Sequence, residues 1–329
     1  KVLRVLFSGS KEEARLTMRE VCLSSQGIGP AGALALAPAL KTCVIVALYL
    51  GGNAIGDEGV ASMAGGLTHA RGLQKLHLNN NEARGGCHKL TNALGPLKVL
   101  STLNLSHNPF GEKACLSLAI LLSQHGCSLQ SLSVAGCLDV DPSAWKTLNF
   151  REGGGGMTRE LPRPGDEGAV VLAAALMSPY GCPLRRFRMT NAGMRTLGAK
   201  AVAAALCANE TLETVDLSGN DFARKEDETD GQSAAELLAF GLQVNTSVRT
   251  IVLRACGLSR DQVLAIQKNA SGSMATPRNR RQGGMESSDA CSGDGTSDAT
   301  SGRRLSWRTE KLLGFRAANL RDWLLDAAR

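Results

Sequence analysis

The sequence predicts an α/β solenoid: a curved stack of about eight strand–helix units, with parallel strands on the concave face and helices on the convex face. A short phrase occurs eight times, with apolar residues at its first, fourth and sixth positions and a turn residue at its ninth. The first five phrases begin at intervals of 27, 28, 27 and 29 residues. Aromatic residues make up only 4% of the chain, which fits a core of stacked aliphatic side chains. A period in the twenties with this pattern indicates repeats that share one continuous core.

The turn residue of each phrase is expected to stabilise the bend that follows the strand. The phrases begin at Met18, Ile45, Leu73, Leu100, Leu129, Leu184, Leu212 and Val248, and their turn positions hold Gln26, Asn53, Asn81, Asn108, Cys137, Ala192, Asn220 and Cys256. An Asn side chain can donate to and accept from backbone groups that the bend leaves unpaired. Stacked Asn residues should therefore form a ladder, in which Cys substitutes as a weaker S–H donor.

Each phrase is predicted to be a strand, and the residues that follow it a helix. In the third phrase Leu76 and Leu78 should point into the core, whereas Lys75 and His77 point outward, because side chains alternate across a strand. Parallel neighbours supply the backbone hydrogen bonds. The helices predicted after Gly56 and Gly165 both open with Asp-Glu, and acidic residues favour a helix N-terminus. Helices are wider than strands, so the stack should curve with its strands on the inside.

The unit of about 28 residues resembles the leucine-rich repeat of the ribonuclease-inhibitor type. Residues 103–111, Leu-Asn-Leu-Ser-His-Asn-Pro-Phe-Gly, and residues 215–220, Val-Asp-Leu-Ser-Gly-Asn, carry the resemblance, which extends over about three quarters of the chain. Similar units occur in ribonuclease inhibitor, in the sensor ends of NOD-like receptors, in RanGAP proteins, in tropomodulins and in axonemal regulatory proteins. The resemblance implies a leucine-rich-repeat solenoid that offers an extended surface to a partner.

The ends of the repeat pattern predict how the chain is divided. The predicted parts are a partial upstream repeat or N-terminal cap at 1–15, the solenoid at 16–268 with insertions at 138–165 and 223–231, a disordered linker at 269–302, and an amphipathic helix at 303–329. The first insertion is interpreted as a loop on the rim, or as a degenerate extra unit at 145–150. The C-terminal helix should either cap the last repeat or dock on a partner, and docking on a membrane surface is a less favoured third alternative. Because the chain opens inside a strand-like segment, we expect it to be a fragment.

The bulk composition favours a cytoplasmic protein that binds other proteins. The formal net charge is +7 and is spread along the chain, which hints at an acidic partner. No combined aromatic and basic surface suggests nucleic-acid binding. The ten Cys include no CxxC pair and are interpreted as reduced packing thiols. No apolar run approaches the ~20 residues that a membrane span needs.

The sequence offers no arrangement of residues for catalysis. The five His lack metal-ligand spacing, the glycine run at 153–156 lacks the Lys-Ser/Thr of a phosphate loop, and no Gly-x-Ser-x-Gly elbow occurs. We therefore expect no catalytic residue, metal, cofactor or small-molecule substrate. In the tail, Ser306 follows Arg303-Arg304-Leu305 and resembles a site for basophilic protein kinases. Phosphate there would add negative charge at the start of the predicted C-terminal helix.

The outward positions of the strands are the candidate binding site. The candidate residues are Tyr49, Lys75, His77, Asn104, Arg185, Arg186, Arg188, Glu213, Asp216 and Arg249. Arginine suits bidentate contact with carboxylate or phosphate and is common at interface hot spots. The three arginines of the sixth phrase either form a patch for an acidic partner or pair with Glu213 and Asp216 on the next strand.

The favoured function is a non-catalytic protein-interaction scaffold that binds through the concave strands. The first alternative is a GTPase-activating protein similar to RanGAP, a family that uses this repeat type at about this array size. The tail lacks the long acidic run that often follows the array there, and no catalytic position of that family aligns with a residue of this chain. The second alternative is the sensor end of a NOD-like receptor.

Overall fold

The computed structural model describes residues 17–42, 44–84, 87–109, 112–136, 165–178, 182–223 and 233–272. Eight strands and eight helices alternate within these residues. The strands are β1 (Thr17–Cys22), β2 (Val44–Tyr49), β3 (Lys75–His77), β4 (Thr102–Asn104), β5 (Ser131–Ser133), β6 (Arg186–Arg188), β7 (Thr214–Asp216) and β8 (Thr250–Val252). The helices are α1 (Gly29–Thr42), α2 (Gly56–Leu67), α3 (Cys87–Leu94), α4 (Glu112–Ser123), α5 (Gly165–Leu176), α6 (Thr196–Ala208), α7 (Ala234–Val244) and α8 (Arg260–Gly272).

All eight strands form one parallel sheet in the order of the sequence, from β1 to β8. Each strand pairs with the next strand in the sequence, and the chain that connects the two contains a helix. Equivalent positions of the phrases are in register, as in the row Leu48, Leu76 and Leu103. The predicted leucine-rich-repeat solenoid is therefore confirmed.

The core lies between the sheet and the layer of helices. The inward row of the sheet is buried throughout and consists of Val21, Leu48, Leu76, Leu103, Leu132, Phe187, Val215 and Ile251. Neighbouring helices pack side by side, and small residues make this close approach possible. A Cβ added to Gly66 of α2 would lie 2.5 Å from the carbonyl oxygen of Ala37 in α1. Glycine at this position lets the two helices pack closely.

The predicted asparagine ladder is confirmed in the first half of the array. The Asn81 amide nitrogen Nδ2 donates to the Leu50 carbonyl at 2.8 Å, and the backbone N–H of Asn81 donates to Asn108 Oδ1 at 2.9 Å. Asn108 Nδ2 in turn donates to the carbonyls of Leu78 and Leu105. Each Asn is buried, so each satisfies polar groups that water cannot reach.

The ladder changes in the second half of the array. Asn220 Oδ1 accepts from the backbone N–H of Ala192 at 3.0 Å, where Ala192 occupies the turn position of the previous unit. At the last turn position the Cys256 thiol donates to the Leu217 carbonyl at 3.3 Å, as expected for cysteine in place of asparagine. Cys137 lies outside the described residues.

The acidic residues at the starts of α2 and α5 have a role that the sequence did not predict. Asp57 Oδ1 accepts from the backbone N–H of Arg84 at 2.7 Å. Asp166 Oδ1 accepts from the N–H groups of Arg195 and Gly198, both at 2.7 Å. Helix N-termini carry N–H groups without intrahelical acceptors. The Asp166 carboxylate therefore caps the first turn of α6, one repeat further along, and ties two repeats together.

The strand pairing and the last helix add detail to the predicted division of the chain. β5 pairs directly with β6, so the sheet has no place between them for an extra strand from residues 145–150. Helix α8 extends to Gly272, past the predicted end of the solenoid at 268, and Ala270 is buried. Residues 1–16 and 273–329 lie outside the described residues, as do most of both predicted insertions. The upstream repeat, the linker, the C-terminal helix and the Ser306 site therefore stay predictions. No helix in the described ranges has the length and apolar character needed to cross a membrane.

Candidate functional site

The sheet surface opposite the helices, here called the strand face, carries outward side chains in aligned rows. One row contains Lys75, Thr102, Ser131, Arg186, Thr214 and Thr250, and the next contains Tyr49, His77, Asn104, Ser133, Arg188, Asp216 and Val252. A third row, on the segment that leads into each strand, contains Gln130, Arg185, Glu213 and Arg249, which are joined by backbone hydrogen bonds. The register thus places seven of the ten candidate residues on this face, and the other three, Arg185, Glu213 and Arg249, lie on the segments that lead into β6, β7 and β8.

Two of the three arginines of the sixth unit form ion pairs with the next unit. Arg185 Nη1 lies 2.7 Å from Glu213 Oε1, and Arg188 Nε lies 3.2 Å from Asp216 Oδ2. Both arginine side chains remain more than half exposed, at 56% and 61%. Exposed pairs of this kind contribute about 0 to 1 kcal/mol. The interpretation that the arginines pair across the strands therefore holds for Arg185 and Arg188.

Arg186 differs from both of its neighbours. Its side chain is exposed, and its cross-strand neighbours are Ser131 on β5 and Thr214 on β7, neither of which is charged. Among the described residues it forms no ion pair, and the same holds for Arg249. Four arginines in this region, Arg185, Arg186, Arg188 and Arg249, thus stand near three carboxylates, those of Glu213, Asp216 and the neighbouring Glu210, which leaves a net charge of +1.

An aromatic pair stands at the other end of the face. The rings of Tyr49 and His77 lie 4.8 Å apart between centroids, with an interplanar angle of 59°, and both side chains are half-buried. Burial, and secondarily the charge of Lys75, lower the pKa of His77 below its usual value of 6.5. The imidazole is therefore neutral at pH 7, and the pair offers a largely apolar surface with polar ring edges.

Small neutral side chains separate the aromatic pair from the arginines. Asn104 Oδ1 accepts from the backbone N–H of Ser106 at 3.1 Å, and the hydroxyls of Ser106 and Ser133 lie 2.7 Å apart. Thr102 and Ser131 occupy the adjacent row. This middle region can exchange hydrogen bonds with a ligand without introducing charge.

A shallow cavity of about 440 Å³ opens beside the Arg185–Glu213 pair, and its lining includes Glu210, Thr211 and Arg249. The sequence analysis did not predict that the hydroxyl-bearing residues Thr211 and Ser247 line this cavity. The sequence feature that could have indicated them is the pair of Asn-x-Ser/Thr segments at 209–211 and 245–247. The first residue of each segment is buried and accepts from the N–H groups that follow it. The hydroxyls of Thr211 and Ser247 donate to the Cys182 carbonyl and to Asn245 Oδ1.

The described thiols and acids give no sign of a metal site or a disulfide. The described free cysteines are Cys22, Cys115, Cys127, Cys182, Cys207 and Cys256. Burial raises the pKa of Cys182 and of Cys207 to about 11, so both thiols stay protonated near neutral pH. The described side chains include no cluster of His, Cys, Asp and Glu able to hold a metal ion. Burial of Cys115, Cys182 and Cys256 fits packing roles for these three, whereas Cys22 is exposed.

Comparison with known proteins agrees with the repeat architecture. The family model described as "Leucine Rich repeat" matches residues 43–64, which contain β2 and most of α2, and residues 208–223, which contain β7. Ribonuclease inhibitor of Sus scrofa is 31% identical over 229 residues, which is 66% of this chain and 48% of that protein.

NACHT, LRR and PYD domains-containing protein 5 of Homo sapiens is 27% identical over 234 residues, which is 69% of this chain and 18% of that protein. NACHT, LRR and PYD domains-containing protein 3 of Rattus norvegicus is 33% identical over 126 residues, which is 37% of this chain and 12% of that protein. The chain thus spans about half the length of the first relative and less than a fifth of the other two.

Proposed function

Since the chain is a leucine-rich-repeat protein with repeats of the ribonuclease-inhibitor type, we propose that it is a non-catalytic scaffold whose strand face binds a protein partner. Repeat solenoids present extended surfaces to partners, and its relatives carry the same kind of array. We further propose that the partner contacts this face through an acidic patch, and that cofactors, nucleic acid and small-molecule substrates have no part in the function. The free thiols support a reducing, cytoplasmic location.

The observation that carries this proposal is the guanidinium of Arg186, which forms no ion pair with any carboxylate of the described residues. Arg185 and Arg188 each hold a carboxylate of the next unit, whereas Arg186 has uncharged residues on both sides. Arginine offers a planar fork of donors that fits a carboxylate in two hydrogen bonds. An acidic group of a partner can therefore pair with Arg186 without displacing an existing ion pair.

Affinity capture from cytosol, followed by mass spectrometry, tests the proposal with two variants that change the charge equally. Arg186→Glu places a carboxylate on the strand face, and Arg260→Glu makes the same change on the exposed first turn of α8. We expect the wild type and Arg260→Glu to capture the same partner. Arg186→Glu, although folded, should fail to capture it. Identical captures from all three proteins would contradict the role of the arginine patch.

The sensor end of a NOD-like receptor is the second candidate function, and the NACHT-containing relatives favour it. If it is correct, the full-length transcript encodes a phosphate-loop motif upstream of Lys1. Sequencing the transcript from its 5′ end tests this, and a start codon directly before Lys1 would exclude it.

Two further hypotheses, ribonuclease inhibition and activation of a GTPase, can each be tested with an enzyme assay. The name of ribonuclease inhibitor states what that relative does, so we propose to measure directly whether this chain inhibits a ribonuclease. The GTPase-activating alternative similar to RanGAP predicts faster GTP hydrolysis by a Ran-type GTPase. An unchanged hydrolysis rate at saturating concentrations of this chain would exclude it.

A further inference from the structure

We propose that the partner binds as an extended segment that lies across the strands, with an aromatic residue on the Tyr49–His77 pair and a carboxylate about five residues away on Arg186. This inference rests on the proposed function and specifies the chemistry of the partner. Three adjoining zones of the strand face carry it, one aromatic, one small and neutral, and one cationic.

The aromatic zone can anchor an aromatic side chain of the segment. Tyr49 and His77 stand at equivalent positions of β2 and β3, and their tilted rings leave faces and edges for a third ring to pack against. The neutral state of His77 means that an apolar group need not desolvate a charge there. Aromatic residues that enter such partly buried positions commonly dominate the energy of an interface.

The middle zone suits the main chain of the segment. The two outward positions of β4 and β5 hold Thr102, Asn104, Ser131 and Ser133, which are all small or medium-sized and uncharged. Their hydroxyl and amide groups can donate to and accept from peptide groups. Short side chains also let a backbone approach the sheet closely, so the middle of the segment needs no particular side chains.

The cationic zone selects a carboxylate at one position. Arg186 lies between the hydroxyl-bearing residues Ser131 and Thr214, which can add hydrogen bonds to a carboxylate held by the guanidinium. On either side along the chain, Arg185 and Arg188 are already held by Glu213 and Asp216. One carboxylate of the acidic patch therefore fits on Arg186, whereas a carboxylate directly beside it would meet Glu213 or Asp216. Arg249, which also forms no ion pair among the described residues, lies two strands further on.

The spacing of the strands sets the spacing of the two anchors. From the midpoint of β2 and β3 to β6 is three and a half strand intervals in the order of the sheet, or about 17 Å at about 4.8 Å per interval. An extended chain advances about 3.3 Å per residue. The aromatic residue and the carboxylate should therefore be about five residues apart, in one direction along the segment or the other.

Selection from a displayed library of random 12-residue peptides tests this inference. The library is selected separately on the wild type, Tyr49→Ala, Arg186→Glu and two controls on the helix side, Leu34→Ala and Arg260→Glu. The controls remove an exposed apolar group from α1 and reverse an exposed charge on α8. Circular dichroism melts confirm that each variant is folded.

We expect peptides enriched on the wild type and on both controls to combine an aromatic residue with Asp or Glu four to six residues away. Tyr49→Ala should lose the aromatic preference and keep the acidic one, and Arg186→Glu should do the reverse. Each change should weaken binding of a selected peptide about tenfold or more.

The outcomes separate this inference from the proposed function. Peptides whose acidic preference depends on Arg186, but which show no aromatic preference or no fixed spacing, would overturn the two-anchor segment and leave the acidic strand-face site in place. Enriched peptides that bind all five proteins equally, or no enrichment at all, would overturn the segment. If Arg186→Glu also captured the cellular partner as well as the wild type does, both the segment and the proposed function would be contradicted.

Discussion

The first and last thirds of the sheet have the same buried architecture but different surfaces. Around β2 to β4 the turn positions are all Asn, and the strand face shows an aromatic pair, Lys75 and neutral polar groups. Around β6 to β8 the turn positions are Ala192, Asn220 and Cys256, and the strand face shows arginines and carboxylates. The inward row stays apolar and buried through both regions, although its residues change from Leu to Phe, Val and Ile. The buried row is thus fixed by packing, whereas the outward rows are free to differ and can carry specificity.

The largest expected effect comes from breaking the turn ladder in the first region. Asn108→Ala removes an acceptor for two backbone N–H groups and a donor to the carbonyls of Leu78 and Leu105. Each buried group left without a partner costs about 1–3 kcal/mol, so we expect the free energy of unfolding to fall by about 3 kcal/mol or more. Cys256→Ala loses only weak S–H donation and should cost about 1 kcal/mol. Urea unfolding followed by circular dichroism measures both, and equal losses would mean that the two regions depend equally on their turns.

The next largest effect separates two adjacent glycines of α2. Gly66→Ala places a Cβ against the Ala37 carbonyl of α1, whereas a Cβ on Gly65 meets no atom within 4 Å. We expect Gly66→Ala to lower the free energy of unfolding by about 1–3 kcal/mol through overpacking. Gly65→Ala should raise it by about 0.5–1 kcal/mol, because alanine favours the helix. Thermal melts of the two variants make the comparison, and a loss in both would contradict the close helix contact as its cause.

The confirmed predictions concern features that repeat, because eight copies of one pattern reveal which positions are equivalent. The strands, their register and the role of Asn81 follow from spacing alone. The sequence analysis did not predict that Asp166 caps α6. The sequence places Asp166 at the start of α5, but it does not give the distance from this carboxylate to the start of α6. The sequence also left open which arginine pairs, because that depends on the reach of each side chain across the strands. Only the structure distinguishes Arg186 from Arg185 and Arg188.

A smaller effect should appear in the pH dependence of the first region. Because the pKa of His77 is lowered in the folded protein, the unfolded chain binds the proton first as the pH falls below about 6.5. The contribution of His77 to stability is therefore complete above this pH and is lost as the pH falls through the folded pKa. His77→Asn should flatten the dependence of the free energy of unfolding on pH in this range, and His125→Asn, on an exposed turn, controls for the loss of an imidazole.

Lys75→Gln should move the pKa of His77 toward 6.5 in an NMR titration. A titration midpoint of His77 that does not change would exclude the lysine charge as a cause.

The smallest expected effect concerns the ion pairs of the last region. A double-mutant cycle of Arg185→Ala and Glu213→Ala should give a coupling of about 0.5 kcal/mol in urea unfolding, reduced further at 1 M salt, because both side chains are well exposed. Arg186→Ala, which removes no ion pair that the structure describes, should leave the free energy of unfolding within about 0.5 kcal/mol of the wild type. If the coupling exceeded about 2 kcal/mol, the charged rows would contribute to the stability of the solenoid. The buried row would then not be the only part of the sheet that stabilises the fold, because residues of the strand face would also stabilise it in the region where the partner site is proposed.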